Sequence, residues 1–238
     1  MRLFVADASH ELRTPLTSIR GYAELYRLAG GADPVQVATM MRRIEDEAAR
    51  MGVLVDDLLL LARMDEQRPL DLADVDLATV AAEVVLDARV RQPERVVRLD
   101  LPDEPARVVG DGHRLRQVLT NLVGNGLLHT PAEAEIAVRV AAGPVPTEAR
   151  VVAAAGVELA AGDPAVIVEV SDNGPGIALD KAEHVFDRFY RVDESRSRAG
   201  GSGLGLAIVA AVLTAHGARI QLLSAPGAGT VFRIVFPV

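Results

Sequence analysis

Apolar positions near the start of the chain follow a helical rhythm. Leu12, Leu16, Ile19 and Ala23 recur at steps of four, three and four, one face of an α-helix. Residues 29 to 34, "AGGADP", interrupt the pattern with glycines, an aspartate and a proline. A second run then begins: Val37, Met41, Ile44, Ala48, Met51, Val55, Leu58 and Ala62. Its steps alternate between four and three throughout, which makes a heptad seam. Residues 3 to 65 therefore predict two helices joined by a short loop, an αα-hairpin. One hairpin cannot bury two such seams. Two hairpins pairing as a four-helix bundle would, so a homodimer is expected. The competing expectation is that the hairpin packs on the chain's own second domain.

The pattern changes after residue 63. Residues 64 to 77, "MDEQRPLDLADVDL", are polar and carry a proline. The expected division is a helical domain over 1–66, a linker over 67–76 and a second domain over 77–238. Within the latter, "LATVAAEVVLDARV" (77–90) reads as a helix, "RVVRLDLP" (95–102) as a strand and "ARVVGD" (106–111) as a short strand. The stretch 112–129 reads as a helix, and "AEIAVRVAA" and "AVIVEVSD" as sheet strands. The tail, from 218 on, reads as a hairpin with a glycine-rich turn. Residues 143 to 163 are long for a hairpin loop, and the reading leaves open an added strand or a mobile segment. The fold class is α+β, and no internal repeat is present.

Composition narrows the chemistry. Half of the residues are hydrophobic but only 3% are aromatic, with no tryptophan, so the core must be built from Leu, Val, Ile and Ala. Cysteine is absent, which excludes disulfides, thiolate metal sites and a cysteine nucleophile. A net charge of -8 argues against nucleic acid as a partner. The lone lysine, Lys181, follows Asp180, so no Walker-A loop exists and no strand lysine of a Ser/Thr-type kinase is available. The start of the chain lacks the apolar core of a signal peptide. The longest apolar run, 204 to 215, is too short to cross a bilayer, so the chain as given is expected to be soluble.

Candidate chemistry begins at "ASHELRTPL", residues 8 to 16. With Leu12 at zero on a helical projection, His10 falls about 160° away, on the face opposite the apolar stripe. Asp7 and Thr14 share that outward face and Glu11 flanks it. Pro15 removes a backbone donor and should bend the helix there. An exposed imidazole beside carboxylates can keep one ring nitrogen protonated and leave the other nucleophilic. It can equally be an ordinary solvated histidine. A metal site is disfavoured, because no second His or Cys lies at ligand spacing.

Two glycine loops follow. "DNGPGI" (172–177) comes after a strand, and "GGSGLGLAIV" (200–209) leads into a helix. Glycines allow close backbone approach, and a helix N-terminus favours phosphate. The second loop misses the dinucleotide-binding spacing and has no βαβ unit around it. Asp172, beside its glycine turn, can accept hydrogens from an amino group such as adenine N6, and would repel a phosphate. Asn121 and Asn125 lie at i and i+4 on one helix face, with His129 four residues further on. Amide oxygens of this kind suit Mg²⁺ that keeps most of its waters and borrows substrate phosphates. A plain polar helix face is the alternative.

Together these stretches resemble the catalytic core of a bacterial sensor histidine kinase. "FVADASHELRTPLTSIRGYAEL" looks like that family's H box and "RLRQVLTNLVGNGLLHTP" like its N box. "SDNGPGI", "VFDRFYR" and "GGSGLGLAIV" look like its G1, F and G2 boxes, in the family's order. The resemblance implies a dimeric four-helix bundle of two hairpins, followed by an α/β sandwich of the histidine-kinase, gyrase and chaperone ATPase type. It implies ATP and Mg²⁺ as cofactors and a response regulator receiver domain as partner. His10 would accept the γ-phosphoryl group and pass it to an aspartate of the regulator. Glu11 would take the other ring proton, and Thr14 would orient water when the regulator is dephosphorylated. Asn125 would ligate Mg²⁺ with Asn121 in support. Asp172 would read adenine, with Gly174 and Gly176 shaping its loop. Gly201, Gly203 and Gly205 would hinge a lid, anchored by Phe186 and Phe189, and Arg191 would reach the phosphates. His129, Ile177, Tyr190 and Leu204 of the same boxes complete the candidate nucleotide site.

Two departures from the family pattern stand in the N box: Gly126 replaces a small alanine, and Leu128 replaces a cation. They are the basis of an alternative, a degenerate kinase that docks a regulator as a dimeric module and binds ATP weakly. A gyrase- or chaperone-type ATPase would carry a Glu at the position of Asn121 and has no use for an exposed His on a hairpin. Met1 lies nine residues before His10, and the expectation is a soluble cytoplasmic fragment of a bacterial inner-membrane receptor, tied to the membrane only through a missing sensor region.

Overall fold

The computed structural model describes residues 2–28, 33–65, 69–147, 150–191 and 202–238. The chain divides into two compact units, Met1–Arg63 and Met64–Val238.

The first unit is a helical hairpin of α1 (Arg2–Leu28) and α2 (Pro34–Asp65). Pro34 opens α2 with φ already set for a helix, and Asp33 Oδ1 accepts the Val35 N–H at 3.1 Å, capping the first turn. In α2 the covered positions include Val37, Met40, Ile44, Glu47, Met51, Leu54, Leu58, Leu60, Leu61 and Ala62. Five of the eight expected seam positions are among them: Val37, Ile44, Met51, Leu58 and Ala62. Met41, Ala48 and Val55 are instead exposed. In α1 the same split occurs: Leu12, Pro15, Ile19 and Tyr22 turn inward, while Leu16 and Ala23 face out. The apolar surface of each helix is wider than one stripe. The inward stripe is displaced to one flank, and the other flank remains as a second, exposed seam.

The second unit is a two-layer α/β sandwich. Its elements are β1 (Ala73–Asp76), α3 (Leu77–Arg91), β2 (Val97–Asp100), β3 (Arg107–Gly110), α4 (Gly112–His129), β4 (Ile136–Pro144), β5 (Ala153–Gly156), β6 (Pro164–Asp172), α5 (Leu179–Ala182), α6 (Gly205–Ala215), β7 (Arg219–Ser224) and β8 (Thr230–Pro237). Six strands form one sheet in the order β2-β4-β6-β8-β7-β5, with β2 and β4 parallel and the other pairs antiparallel. Helices α3, α4 and α6 cover one face. Leu122, Ile136, Ile208, Leu213, Ile220, Leu222 and Ile234 are almost completely buried between the layers. Each such side chain stabilises the fold by about 1.5–3 kcal/mol relative to exposure.

Two sequence expectations change here. Residues 73–76, expected as linker, form β1, which pairs antiparallel with β3. The polar alternation of "ADVD" suits a two-stranded ribbon with little burial. The stretch 143–163 resolves to the first of its two alternatives: it contributes a strand. Val145 and Asp163 close its neck through a 2.7 Å N–H···O bond, and β5 then adds to the outer edge of β7. Val145 and Leu159 pack on Ala165, Ile167 and Val235, positions that the pleat directs away from the helices.

Candidate functional site

On α1, His10 and Thr14 are exposed and Glu11 is half-buried. The Thr14 hydroxyl donates to the His10 carbonyl at 3.4 Å. Pro15 lies inside the helix, so the Glu11 carbonyl receives no N–H from four residues on. The imidazole is thus presented on an outward face of a helix weakened one turn later.

The other site residues belong to the second unit. Asp111 caps α4, its Oδ1 accepting the Arg114 N–H at 3.1 Å. From that start α4 runs to Asn121, Asn125 and His129. Asn121 Nδ2 donates to the Gly205 carbonyl at 3.2 Å, which ties α4 to the first residue of α6. Leu204 stands at the N-cap of α6, and among the described residues no side chain caps that helix. Its first N–H groups remain available to an anion. Half-buried Asn125 offers an amide oxygen. Among the described residues no cluster of three His, Asp or Glu is arranged to hold a metal. An amide oxygen without a carboxylate cluster fits a Mg²⁺ that phosphates and water carry for the most part.

Asp172 ends β6, half-buried, and its Oδ1 accepts the Gly174 N–H at 2.8 Å. Burial pushes its carboxyl above the usual aspartate value, while the Gly174 and Thr230 N–H groups and the Arg95 charge oppose that rise. A Cβ on Gly174 would lie 2.7 Å from Thr130 Cγ2, so only glycine fits between that wall and the carboxylate. At Gly176 (φ 69°) a Cβ would stand 2.0 Å from the Ala225 carbonyl oxygen. Its absence lets this loop lie against the β7–β8 turn, where Gly227 N–H donates to the Pro175 carbonyl at 2.7 Å. Ser224 completes the clasp by accepting from Ile177 N–H and donating to the Gly229 carbonyl.

The segment after α5 packs through Phe186, whose ring meets Phe232 edge-on at 6.5 Å. Tyr190 lies against the His184 ring. Phe189 has φ 63°, the one non-glycine residue with positive φ among the described residues, and its N–H donates to the Gly203 carbonyl at 3.0 Å. His129 reaches solvent, yet its crowded surroundings and, second, the Arg191 charge lower its imidazolium pKa from the ordinary value. Arg191 therefore lies within electrostatic reach of the end of α4.

The structure thus gathers Asn121, His129, Phe189, Arg191, Gly203 and Gly205 through contacts or charge, and sets Asp172, Gly174, Gly176 and Ile177 in one clasped loop. The Leu204 side chain is fully buried at the start of α6. Gly201 lies outside the described residues. Arg95, Thr130, Ser224 and Gly229 were not singled out from the sequence. Thr130 lies within the motif at residues 114–131, but Arg95 stands in no motif at all. Gly126 also gains a reason: a Cβ there would meet Ile136 Cδ1 at 3.2 Å, so the branched strand residue fills the space.

Two family models match the chain. The "His Kinase A (phospho-acceptor) domain" matches residues 1–67. The "Histidine kinase-, DNA gyrase B-, and HSP90-like ATPase" matches residues 110–238. The chain belongs to the histidine kinase family. Among similar proteins, the probable sensor histidine kinase TcrY of Mycobacterium tuberculosis is 46% identical over 228 residues, covering 95% of this chain and 44% of that protein. Sensor histidine kinase TrcS of the same organism is 40% identical over 238 residues, covering 100% and 44%. The chain therefore spans a little under half the length of these curated relatives. The solved histidine kinase AdeS of Acinetobacter baumannii superposes with a TM-score of 0.66 at 25% identity, over 96% of this chain and 97% of that one. Histidine kinase ThkA, solved in complex with response regulator protein TrrA, shares the fold with a TM-score of 0.70 at 22% identity, over 98% of this chain and 60% of that one.

Proposed function

We propose that this chain is an ATP-dependent protein-histidine kinase that phosphorylates itself on His10 and passes the phosphoryl group to an aspartate of a response regulator. The observation that carries the reading is the Asn121–Gly205 bond. It joins the helix bearing the candidate Mg²⁺ ligand to the uncapped N-terminus of α6, where a triphosphate finds backbone donors.

Asp172 accepts from the 6-amino group of the base, and Gly174 keeps the carboxylate in that orientation. Arg191 neutralises phosphate charge in place of the cation that Leu128 lacks. Mg²⁺ held by Asn125 would spread the charge developing on the transferred group. At His10, one ring nitrogen attacks the γ-phosphorus. A new N–P bond forms, the O–P bond to ADP breaks, and ADP leaves with those electrons. Glu11 holds the proton on the other ring nitrogen, which stabilises the charge that develops on the ring. Thr14, one turn from His10, would orient water for the reverse duty of dephosphorylating the regulator.

The exposed seam of Leu16, Ala23, Met41, Ala48 and Val55 supports a homodimer, since a second hairpin would bury it. The relatives are designated sensor kinases and are more than twice as long. They support placing this core on the cytoplasmic side of a membrane sensor. No helix among the described residues is long and apolar enough to cross a membrane. Incubation with γ-labelled ATP and Mg²⁺ tests the reading. Label should enter the chain and then move to a receiver domain added afterwards. Nucleotide binding with no label in the chain would refute it.

A further inference from the structure

Arg95 is a buried cation near the base-reading acid. It lies in the turn before β2, is 9% exposed, and points at Thr130 rather than at solvent. Its Nη2 donates to Thr130 Oγ1 at 2.6 Å and its Nη1 to the Thr130 carbonyl at 3.2 Å. Its Nε is buried without a hydrogen-bond partner. A surface salt bridge would serve stability better, because a buried cation loses hydration that two bonds only partly restore. The position makes sense for what lies beyond Thr130. The Thr130 hydroxyl donates to the Gly126 carbonyl at 2.6 Å, fixing the last turn of α4. The Thr130 methyl faces Gly174, whose N–H holds Asp172 Oδ1 at 2.8 Å.

We propose that Arg95 is a positioning residue that sets the base specificity of the nucleotide site. It braces Thr130 against the Gly174 turn and stands as a fixed positive charge behind Asp172, so that the carboxylate meets the base as a hydrogen-bond acceptor. An acceptor matches the donor of a 6-amino purine and opposes the carbonyl of a 6-oxo purine. A protonated carboxyl would reverse that preference, since it donates. Discrimination of this kind is large when a site is built around one polarity, because the wrong base leaves buried groups unpaired. Among the described residues the groups acting on Asp172 are the Gly174 and Thr230 backbone N–H donors and the Arg95 charge. Burial alone would take the carboxyl toward its neutral form, and Arg95 opposes this.

The proposal rests on the nucleotide reading above, and its test separates the two. Binding of the non-hydrolysable β,γ-imido analogues of ATP and GTP, with Mg²⁺, is measured calorimetrically between pH 5.5 and 8 for the whole chain. Wild-type protein that binds neither analogue overturns the nucleotide reading and this proposal with it. Given wild-type binding, Arg95→Met should bind the adenine analogue about tenfold more weakly at pH 7, because a carboxylate no longer held in place loses most of one charge-assisted hydrogen bond. It should bind the guanine analogue no more weakly than wild type. The pH below which adenine binding fades should move up. Arg95→Lys, which keeps the charge and loses the fork, should leave that pH in place. Equal losses for both analogues with an unmoved pH profile would show a merely structural residue and overturn the proposal. Should Arg95→Met not fold, Thr130→Val is the second probe. It leaves the cation but removes its hydroxyl partner, so adenine binding should weaken more than guanine binding, and equal losses overturn the proposal.

Discussion

The Phe189 N–H donates to the Gly203 carbonyl at 3.0 Å, and both residues hold positive φ, 63° and 72°. Two segments separated by thirteen residues thus meet backbone to backbone. A Cβ on Gly203 would lie 2.9–3.0 Å from Phe189 main-chain atoms. Gly203→Ala is expected to cost about 1–2 kcal/mol from the left-handed backbone alone, with the clash added. ATP affinity should fall by more than the melting temperature suggests, because the displaced segment carries Arg191. Calorimetric titration beside a thermal melt checks both.

Asn121 acts as a strut. Asn121→Ala removes its bond to the Gly205 carbonyl and should destabilise the second unit by about 1 kcal/mol. Asn121→Asp keeps the shape but turns an acceptor toward a carbonyl oxygen, and it should be the worse of the two for both stability and ATP binding. Chemical denaturation of the two variants gives the order.

Asp172 illustrates a site maintained against stability. Its folded carboxyl is raised above the ordinary 3.8, so the group favours folding below pH 3.8 and disfavours it once ionised. Stability is lost as pH rises through the folded value. Asp172→Asn should therefore melt higher than wild type at pH 7, with the gap closing as pH falls. Adenine-nucleotide affinity should drop about tenfold or more, because a charge-assisted hydrogen bond becomes a neutral one.

Gly126 and Ile136 form a coupled pair. Gly126→Ala should gain up to about 1 kcal/mol of helix propensity. The new Cβ, 3.2 Å from Ile136 Cδ1, sets crowding against that gain. The single change should be near neutral. In an Ile136→Val background, where the Cδ1 is gone, the same change should stabilise. A double-mutant cycle measured by urea denaturation reports the coupling.

Much of this was legible in the sequence because local pattern and tertiary role agree. The period of α1 and α2, the alternation of β4 and β6 and the motif glycines at 174, 176 and 203 each follow from nearest-neighbour rules. The losses have specific causes. The seam of α2 was read as one stripe because Met41 and Ala48 are apolar, and a linear pattern does not say which flank a neighbouring helix takes. β1 escaped notice since "ADVD" has no buried face to betray it. The burial of Leu204 is set by the layers beneath α6, which its loop sequence alone does not show. Arg95 was invisible, for its role depends on Thr130, 35 residues away, and no spacing rule joins them.

A phosphoryl group on His10 is recognised by the chemical nature of its bond. The chain is incubated with γ-labelled ATP and Mg²⁺, then treated with acid or base, beside a His10→Ala variant whose fold is confirmed by circular dichroism. A phosphoramidate on imidazole predicts label that is lost in acid, survives base and is absent from the variant. Label that survives acid, or that persists in His10→Ala, would contradict the account.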